Sequence, residues 1–518
     1  MDILIKIVYF WLYIPIYVFD NFEFLNKTAT NIEYIVGLNV LIFLVPFISG
    51  IIAFFINKNS LRKMFLVFSA VFELFIITAA MRCGHLQSYP NLATLSDSYG
   101  YIPFSKYLES DSYFYVAILL LVTSFVFIMV SIYNSGYYKT SNEQAEKDHL
   151  LFTTEPEKIF DGFLLLFFSS MTLVILSNHI GLSWVGVEAT TLFSAPLIYY
   201  HMDKKSLEAV WKYLIICSVG IALALVGTFF IYAGLKSEYA FFSKEIDFSW
   251  FKIGFIFAFI GYATKAGIVP MHTWLVDAHS QAPSHISALL SGTLLNCALI
   301  TIYKLSNPYI NSDVSFVYDI FLFFGSLSVI TPAILSLNQK EFKRLLAYSS
   351  IENMGVSLVI MGLNKYMQDN MFVEALLVFN LASHSLSKVF LFLTSGIIMA
   401  EYGEKRMDKI SLINNSVLKW MWFFGLVLIL GIPPSGLLIT KMISFNISIK
   451  NNFYVFFVLI ISFILMGWSF SKNFINMCFN PSDIKPIKKA PVSMYITSIL
   501  TGIYAAFMMF FFFVLIDL

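Results

Sequence analysis

Gly261-Tyr-Ala-Thr-Lys265-Ala-Gly-Ile-Val-Pro270 puts a lysine inside a long apolar run, with a proline five residues behind it. Proline removes a donor that a helix interior needs, so the run predicts a helix that breaks here and frees carbonyls able to hold water. A snorkelling lysine is the bland alternative, but the residues on both sides are apolar or small. A charge in such a place is costly and marks a functional site by default. Gly431-Ile-Pro433-Pro434-Ser-Gly436 interrupts the apolar segment 416–446 in a similar way, and Lys441 follows it, so proline and lysine come in the opposite order. Paired Gly/Pro-interrupted helices at matching places in two halves of a chain point to inverted repeats with sites near the bilayer midplane.

The chain around the two breaks is apolar throughout. Of 518 residues, 58% are hydrophobic, 13% are charged and 55 are Phe; a soluble domain carries about a quarter charged residues. Apolar segments fall near 3–20, 35–57, 63–81, 113–133, 158–177, 180–200, 209–233, 251–270, 284–304, 314–336, 343–363, 372–399, 416–446, 453–478 and 491–516. Most are close to the ~20 residues that cross a bilayer as a helix. This composition excludes a soluble enzyme, a disordered chain and a nucleic-acid binder, and also a barrel of short alternating strands. The expected fold is an all-α polytopic membrane protein of about 14–15 transmembrane helices. Segment 3–20 is the weakest, flanked or interrupted by Asp2 and Lys6. It reads as an uncleaved anchor or an interfacial helix, because no small-residue cleavage site follows it.

Charge orders the connections. Lys58, Arg62 and Lys63 follow the second segment, Lys139 and Lys147 the fourth, and Lys204 and Lys205 the sixth. Lys340, Lys343 and Arg344 follow the tenth, and Lys405, Arg406 and Lys409 the twelfth; Lys472, Lys485, Lys488 and Lys489 precede the last. An even number of crossings separates each set from the next. All therefore lie on one side, which the positive-inside rule makes cytoplasmic. The C-terminus then lies outside, and the N-terminus inside if 3–20 spans.

Cys83, Cys217, Cys297 and Cys478 are scattered with no CxxC pair. Iron–sulfur clusters and structural zinc want clustered thiolates. The chain is read as carrying no cofactor, so electrons in any redox assembly run through other subunits.

Several polar groups interrupt the segments. Glu188, in Trp184-Val-Gly-Val-Glu188-Ala-Thr-Thr, is a lone carboxyl that must be protonated, paired or wetted; the alternative is a hydrogen-bond anchor between helices. An ammonium taken out of water holds its proton less firmly, and a nearby carboxylate restores that hold. A lysine such as Lys265 beside a movable carboxylate is thus a switchable proton site. Glu352, in Tyr348-Ser-Ser-Ile-Glu352-Asn-Met-Gly355, is the candidate counterpart of Glu188, with a salt bridge to the nearby basic turn as the alternative. Asn380, His384 and Lys388 fall at i, i+4 and i+8, which puts them on one helix face. Histidine passes protons near neutral pH, although a packing histidine is the alternative. Asp277, His279 and His285 cluster after the first break; their spacing fits no standard metal motif, and they read as a site of proton uptake or a structural turn.

Together, Trp184 to Leu192, Leu207 to Cys217, Thr264 to Asn296, Lys343 to Gly355 and His384 to Phe392 resemble one family. It is the antiporter-like, proton-conducting subunit family shared by respiratory complex I, Mrp-type cation/proton antiporters and membrane-bound hydrogenases. The string Thr-Lys-Ala-Gly…Pro…His-Thr-Trp-Leu…Asp-Ala-His carries most of the likeness, which extends over roughly residues 160–445 and looks nearest to the hydrogenase-4 component F type of formate hydrogenlyase assemblies. The resemblance implies about fourteen helices containing two inverted five-helix repeats, each with a broken helix. It divides the chain into N-terminal helices (1–112), a first repeat (113–304), a second repeat (314–478) and a C-terminal helix (479–518).

Carried over by resemblance, Glu188 is the fifth-helix glutamate and Lys265 the seventh-helix lysine. Asn296 stands where complex I relatives often have a central lysine. His384 and Lys388 match the polar stretch of the eleventh helix, and Lys441 the terminal site of the twelfth. Lys212, His279, His285 and Glu352 are secondary candidates. Two positions depart from the pattern, since the subgroup is expected to carry Glu at Lys441 and relatives usually carry proline at His285. The implied function is proton translocation within a membrane-bound redox complex of the hydrogenase or NADH dehydrogenase kind, in a bacterial cytoplasmic membrane. The implied partners are membrane and soluble subunits that carry the electrons. The implied ion is the proton, with sodium as the variant. The rival readings are an Mrp-type cation/proton antiporter subunit and a membrane partner of an inorganic-carbon uptake complex.

Overall fold

Each apolar segment from 35–57 onward is realised as a helix or a broken helix. The structure, a computed structural model, describes residues 32–85, 112–147, 156–177, 179–235, 247–310, 315–367, 369–479, 486–487 and 489–516. Segment 3–20 and most of the 82–112 connection lie outside the described residues. The helices are α1 (Ile32–Ala53), α2 (Asn59–His85), α3 (Ser112–Lys147), α4 (Glu157–Leu176), α5 (Ile180–Ile198) and α6 (Lys204–Leu235). The first break separates α7 (Phe248–Lys265) from α8 (Thr273–Gln281). Next come α9 (Ser284–Leu289), a π-helical turn (Leu290–Leu294) and α10 (Leu295–Ile310), which form one span. Then follow α11 (Phe316–Ser336), α12 (Phe342–Leu363) and α13 (Asn370–Tyr402). The second break separates α14 (Ser416–Leu430) from α15 (Leu437–Asn451), and α16 (Phe453–Phe479) and α17 (Val492–Ile516) complete the chain. Among the described residues, nine helices are long and apolar enough to cross a membrane by length and composition, and the β structure is confined to isolated bridges such as Glu341–Arg406.

The two breaks are built alike. Both follow a Gly-Ile-x-Pro string, Gly267-Ile-Val-Pro270 and Gly431-Ile-Pro-Pro434. Gly267 and Gly431 take φ of 72° and 74°, a left-handed conformation that only glycine enters without a Cβ penalty. Each closes its helix with the same five-residue backbone bond, Ile268 N to Ala263 O (2.9 Å) and Ile432 N to Val427 O (3.0 Å), the Schellman pattern. Chain alternation makes α7–α8 and α14–α15 cross in opposite directions, the relation expected of inverted repeats.

Close approach, not apolar burial, holds such helices together in lipid. The seam between α6 and α7 illustrates it. A Cβ added at Gly261 would lie 2.4 Å from Gly220 O, and one at Gly227 would lie 2.4 Å from Ala258 N. Only hydrogen at these positions lets the backbones meet, and this seam fixes the end of α7 where Lys265 stands.

The turns that the charge pattern places on one side are tied to one another. Asp277 binds Lys212 (3.1 Å) and Arg344 (2.7 Å). Lys340 binds Asp408 (3.2 Å), and Met407 N donates to Lys340 O (2.7 Å). Buried Arg62 binds Asp161 (3.2 Å), which also accepts from Asn134 Nδ2 (3.1 Å). Glu401, at the end of α13, accepts from Tyr495 OH (2.7 Å) and Ala490 N (2.9 Å), latching α17 onto the second half.

Candidate functional site

The first centre forms where α5, α6 and α7 meet. Lys265 is the last residue of α7, is 1% exposed, and donates 2.7 Å bonds to Thr191 Oγ1 and Tyr213 OH. Tyr213 OH shares a 2.6 Å bond with Ser194 Oγ, and its ring lies tilted against Trp274 with centroids 4.9 Å apart. Trp274 Nε1 in turn donates to the carbonyl of Thr264 (2.9 Å), in the last turn of α7. The α7 C-terminus adds its negative dipole end beside the ammonium. Glu188 lies one turn before Thr191 on α5, within electrostatic reach of Lys265 but outside ion-pair distance. Its Oε2 is buried without a hydrogen-bond partner among the described residues.

The line continues through α10 and α13. Lys265 is within electrostatic reach of Cys297, the neighbour of Asn296. Asn296 Nδ2 donates to Gly292 O (2.9 Å) and Ser385 Oγ (2.7 Å). Ser385 Oγ makes a short bond to the same carbonyl. The π turn opens the carbonyl of Gly292 to both, as such turns do at functional sites. Asn296 Oδ1 and both ring nitrogens of His384 are buried without partners among the described residues. Buried polar atoms of this kind call for partners such as water.

The second centre lies between α12, α13 and α15. Asn380 and Lys388 both reach α12, Asn380 to Asn353 Oδ1 (3.1 Å) and Ser357 Oγ (2.9 Å), Lys388 to Leu346 O (2.6 Å) and Ser349 Oγ. Two members of the i, i+4, i+8 stripe thus face α12. Glu352 is buried and lies within electrostatic reach of both Lys388 and Lys441. Its expected alternative, a bridge to the basic turn, is not formed, because Arg344 is held by Asp277 and Lys343 by the carbonyl of Ala282. Lys441 Nζ reaches back over the break to Leu430 O (3.2 Å), the last residue of α14, and lies 4.1 Å from the ring centroid of Phe463. The reversed order of proline and lysine is thus resolved in space, since each ammonium sits at the C-terminal end of a broken helix's first half. Thr440 Oγ1 bonds Asn380 Oδ1 (2.8 Å) and ties this end to the stripe.

The remaining candidates separate. Lys212 is half-exposed and belongs to the surface ion-pair group with Glu208 and Asp277. His279 stacks on Phe392 with centroids 5.2 Å apart, one turn beyond Lys388. His285 is enclosed by Tyr137 (4.8 Å), Phe160 (5.7 Å) and Tyr133 (5.9 Å). The three residues that cluster in sequence after the first break thus face three different surroundings. Among the described residues, no group of three or more His, Cys, Asp or Glu is placed to hold a metal ion.

Sequence reasoning passed over four buried ionisable groups among the described residues: Asp161 and Glu401, held by the ties described above, and Lys304 and Glu73. Lys304 donates to Ile175 O (2.7 Å) and Ser177 O (2.8 Å), capping the C-terminus of α4. Glu73, in the middle of α2, accepts from Ser124 Oγ (3.1 Å). Glu73 carried the same signal as Glu188, a carboxyl amid apolar residues. Thr191 and Tyr213, the direct partners of Lys265, carried none, because hydroxyl residues at helical spacing also serve ordinary packing.

Residues 177–467 match the family described as NADH:quinone oxidoreductase/Mrp antiporter, transmembrane. The chain is 32% identical over 345 residues to the hydrogenase-4 component F homolog of Methylacidiphilum infernorum (isolate V4), covering 63% of this chain and 70% of that protein. It is 27% identical over 339 residues to hydrogenase-4 component B of Escherichia coli (strain K12), covering 61% of this chain and 48% of that protein, so it spans about half of the latter. A chain of the membrane-bound sulfane sulfur reductase, an archaeal respiratory membrane complex, shares the fold with a TM-score of 0.77 at 19% identity, over 92% of this chain and 96% of that one.

Proposed function

The chain belongs to the NADH:quinone oxidoreductase/Mrp antiporter family of transmembrane proteins, and we propose that it is the proton-translocating subunit of a membrane-bound redox complex in a bacterial cytoplasmic membrane. Electron transfer in partner subunits of the hydrogenase or NADH dehydrogenase kind drives it. One observation carries this reading: polar and ionisable groups, half-buried at Glu188 and buried beyond it, succeed one another from Glu188 and Lys265, past Asn296, to His384, Lys388, Glu352 and Lys441. Charges buried this deeply in a helical membrane protein are expensive and follow ion pathways.

Lys265 is the loading site, held by Thr191 and Tyr213 while Glu188 is near. A shift of α5 that moves Glu188 away favours release of the proton toward Asn296 through water. His384 and Lys388 relay it, Glu352 balances Lys388 and Lys441, and Lys441 is the terminal site. The same reading assigns 113–304 and 314–478 as the two repeats, which the paired Gly-Ile-x-Pro breaks support.

The test is Lys265→Ala in the native complex, purified with its co-purifying subunits identified. Proton movement is lost while the assembled complex persists. An assembled variant that still moves protons at the normal stoichiometry overturns the assignment. The family also includes Mrp antiporters, which favours one second reading, cation/proton exchange without electron transfer. Co-purification with small membrane subunits alone, and sodium-dependent exchange, would establish that instead.

A further inference from the structure

His285 is fully buried, and neither ring nitrogen has a hydrogen-bond partner among the described residues. A neutral imidazole carries one donor and one acceptor, and leaving either unmade in a protein interior is costly. Aromatic packing alone does not meet that cost, whereas a water between the rings would serve them. Ser284 Oγ, beside it, and His279 Nδ1 are buried and unpartnered as well.

The surroundings run in two directions. Toward the cytoplasmic turn, the ring of Tyr137 lies 4.8 Å from His285, and its hydroxyl lies 3.4 Å from His201 Nε2. His201 is half-buried and is followed by exposed Met202 and Asp203. Toward the second centre, Lys343 lies within electrostatic reach of both His285 and His279. His279 lies against Phe392, within electrostatic reach of Lys388. The groups facing His285 are Tyr133 and Tyr137 from α3, Phe160 from α4, His201 from the turn after α5 and Lys343 from α12. Among the described residues none of these is a carboxylate, so nothing holds His285 as a fixed ion pair.

We propose that His201, Tyr137 and His285 form a cytoplasmic uptake path that delivers protons through His279 to Lys388. This rests on the proton-translocation reading above and adds the route by which its second centre is filled. A proton from bulk water binds His201. It passes to the Tyr137 oxygen as that hydroxyl gives up its own proton toward His285. His285 takes that proton at one ring nitrogen and releases one from the other, through water, toward His279. One proton moves, and every group returns to its neutral form.

The test uses the intact complex in inverted membrane vesicles, with proton uptake followed by a pH-gradient dye and electron transfer measured in parallel. Tyr137→Phe removes a single oxygen and His285→Phe keeps an aromatic ring, so both retain the packing. Each lowers the initial rate of proton uptake about a hundredfold, the lower end of what one positioned proton-transfer group contributes. His285→Gly regains uptake when imidazole is added, a response that a packing role does not produce. If Tyr137→Phe and His285→Phe take up protons at the parental rate while Lys265→Ala does not, the uptake path is wrong and the parent reading stands. If Lys265→Ala also takes up protons normally, the parent reading falls with it. Should His285→Phe fail to assemble, Tyr137→Phe decides alone.

Discussion

Lys265 and Glu188 sense each other's charge without touching: the ammonium gives its bonds to Thr191 and Tyr213, while Glu188 stands one turn earlier on the helix that carries Thr191. This separation suits a switch better than a closed ion pair would. A buried pair in contact is hard to part, because removing either partner leaves an uncompensated charge. Here the hydroxyls bear the ammonium while the carboxyl sets its surroundings from a distance, so a small movement of α5 changes the balance without breaking a salt bridge.

The hydroxyls are therefore predicted to matter as much as the carboxyl. Thr191→Val keeps the shape and removes one bond to the ammonium, worth about 1.5–3 kcal/mol for a charged donor. Tyr213→Phe does the same from the other side and also removes the bond to Ser194 Oγ, which keeps its bond to Thr190 O. Each variant assembles and moves protons at least several-fold more slowly, measured by dye quenching in vesicles. Parental rates in both would mean that Lys265 does not depend on these contacts.

Glu352 and Lys388 are predicted to be coupled. Both are buried, and Glu352 is the carboxyl within electrostatic reach of Lys388 and of Lys441. Glu352→Gln alone leaves two lysines uncompensated and lowers the yield of assembled complex. Adding Lys388→Met restores part of that yield, with an interaction energy of about 0.5–3 kcal/mol in a double-mutant cycle. Additive losses would place the two in independent surroundings.

The glycine seam makes a sharp pair of expectations. Gly261→Ala puts a Cβ against the backbone of Gly220 and Ala224, at 2.4 and 2.6 Å, and backbone cannot give way as a side chain can. Overpacking of this kind costs about 1–3 kcal/mol. Gly467→Ala meets nothing within 4 Å. Thermal unfolding of the purified complex should shift down for the first and stay level or rise slightly for the second.

What was legible in the sequence followed from cost. Lys265, Glu188 and the Gly/Pro breaks stood out because charge and proline are penalised in a lipid-embedded helix and do not occur there by chance. The one-sided basic turns were readable for a similar reason. What sequence hid was geometry across helices. No spacing rule shows that Lys441 reaches back to Leu430, that Gly292 serves both Asn296 and Ser385, or that Asp277, His279 and His285 face apart. Those depend on which helices become neighbours, and the apolar pattern is nearly uniform around each of them.

Glu73 gives the last expectation. It is 1% exposed, its Oε1 accepts from Ser124, and its Oε2 has no partner among the described residues. No basic group among the described residues lies within ion-pair distance of it, unlike Asp161, which has Arg62. An unpaired carboxylate in such a place is far costlier than the uncharged acid. Glutamine has the shape and hydrogen-bonding groups of that acid, so Glu73→Gln should assemble and move protons as the parent does. Glu73→Leu loses the bond from Ser124 and should cost about 1 kcal/mol of stability, read from thermal unfolding. If Glu73→Gln assembles fully yet proton movement falls, the carboxyl gains and loses a proton during turnover, and the conducting line extends to α2 and α3 beyond the two broken helices.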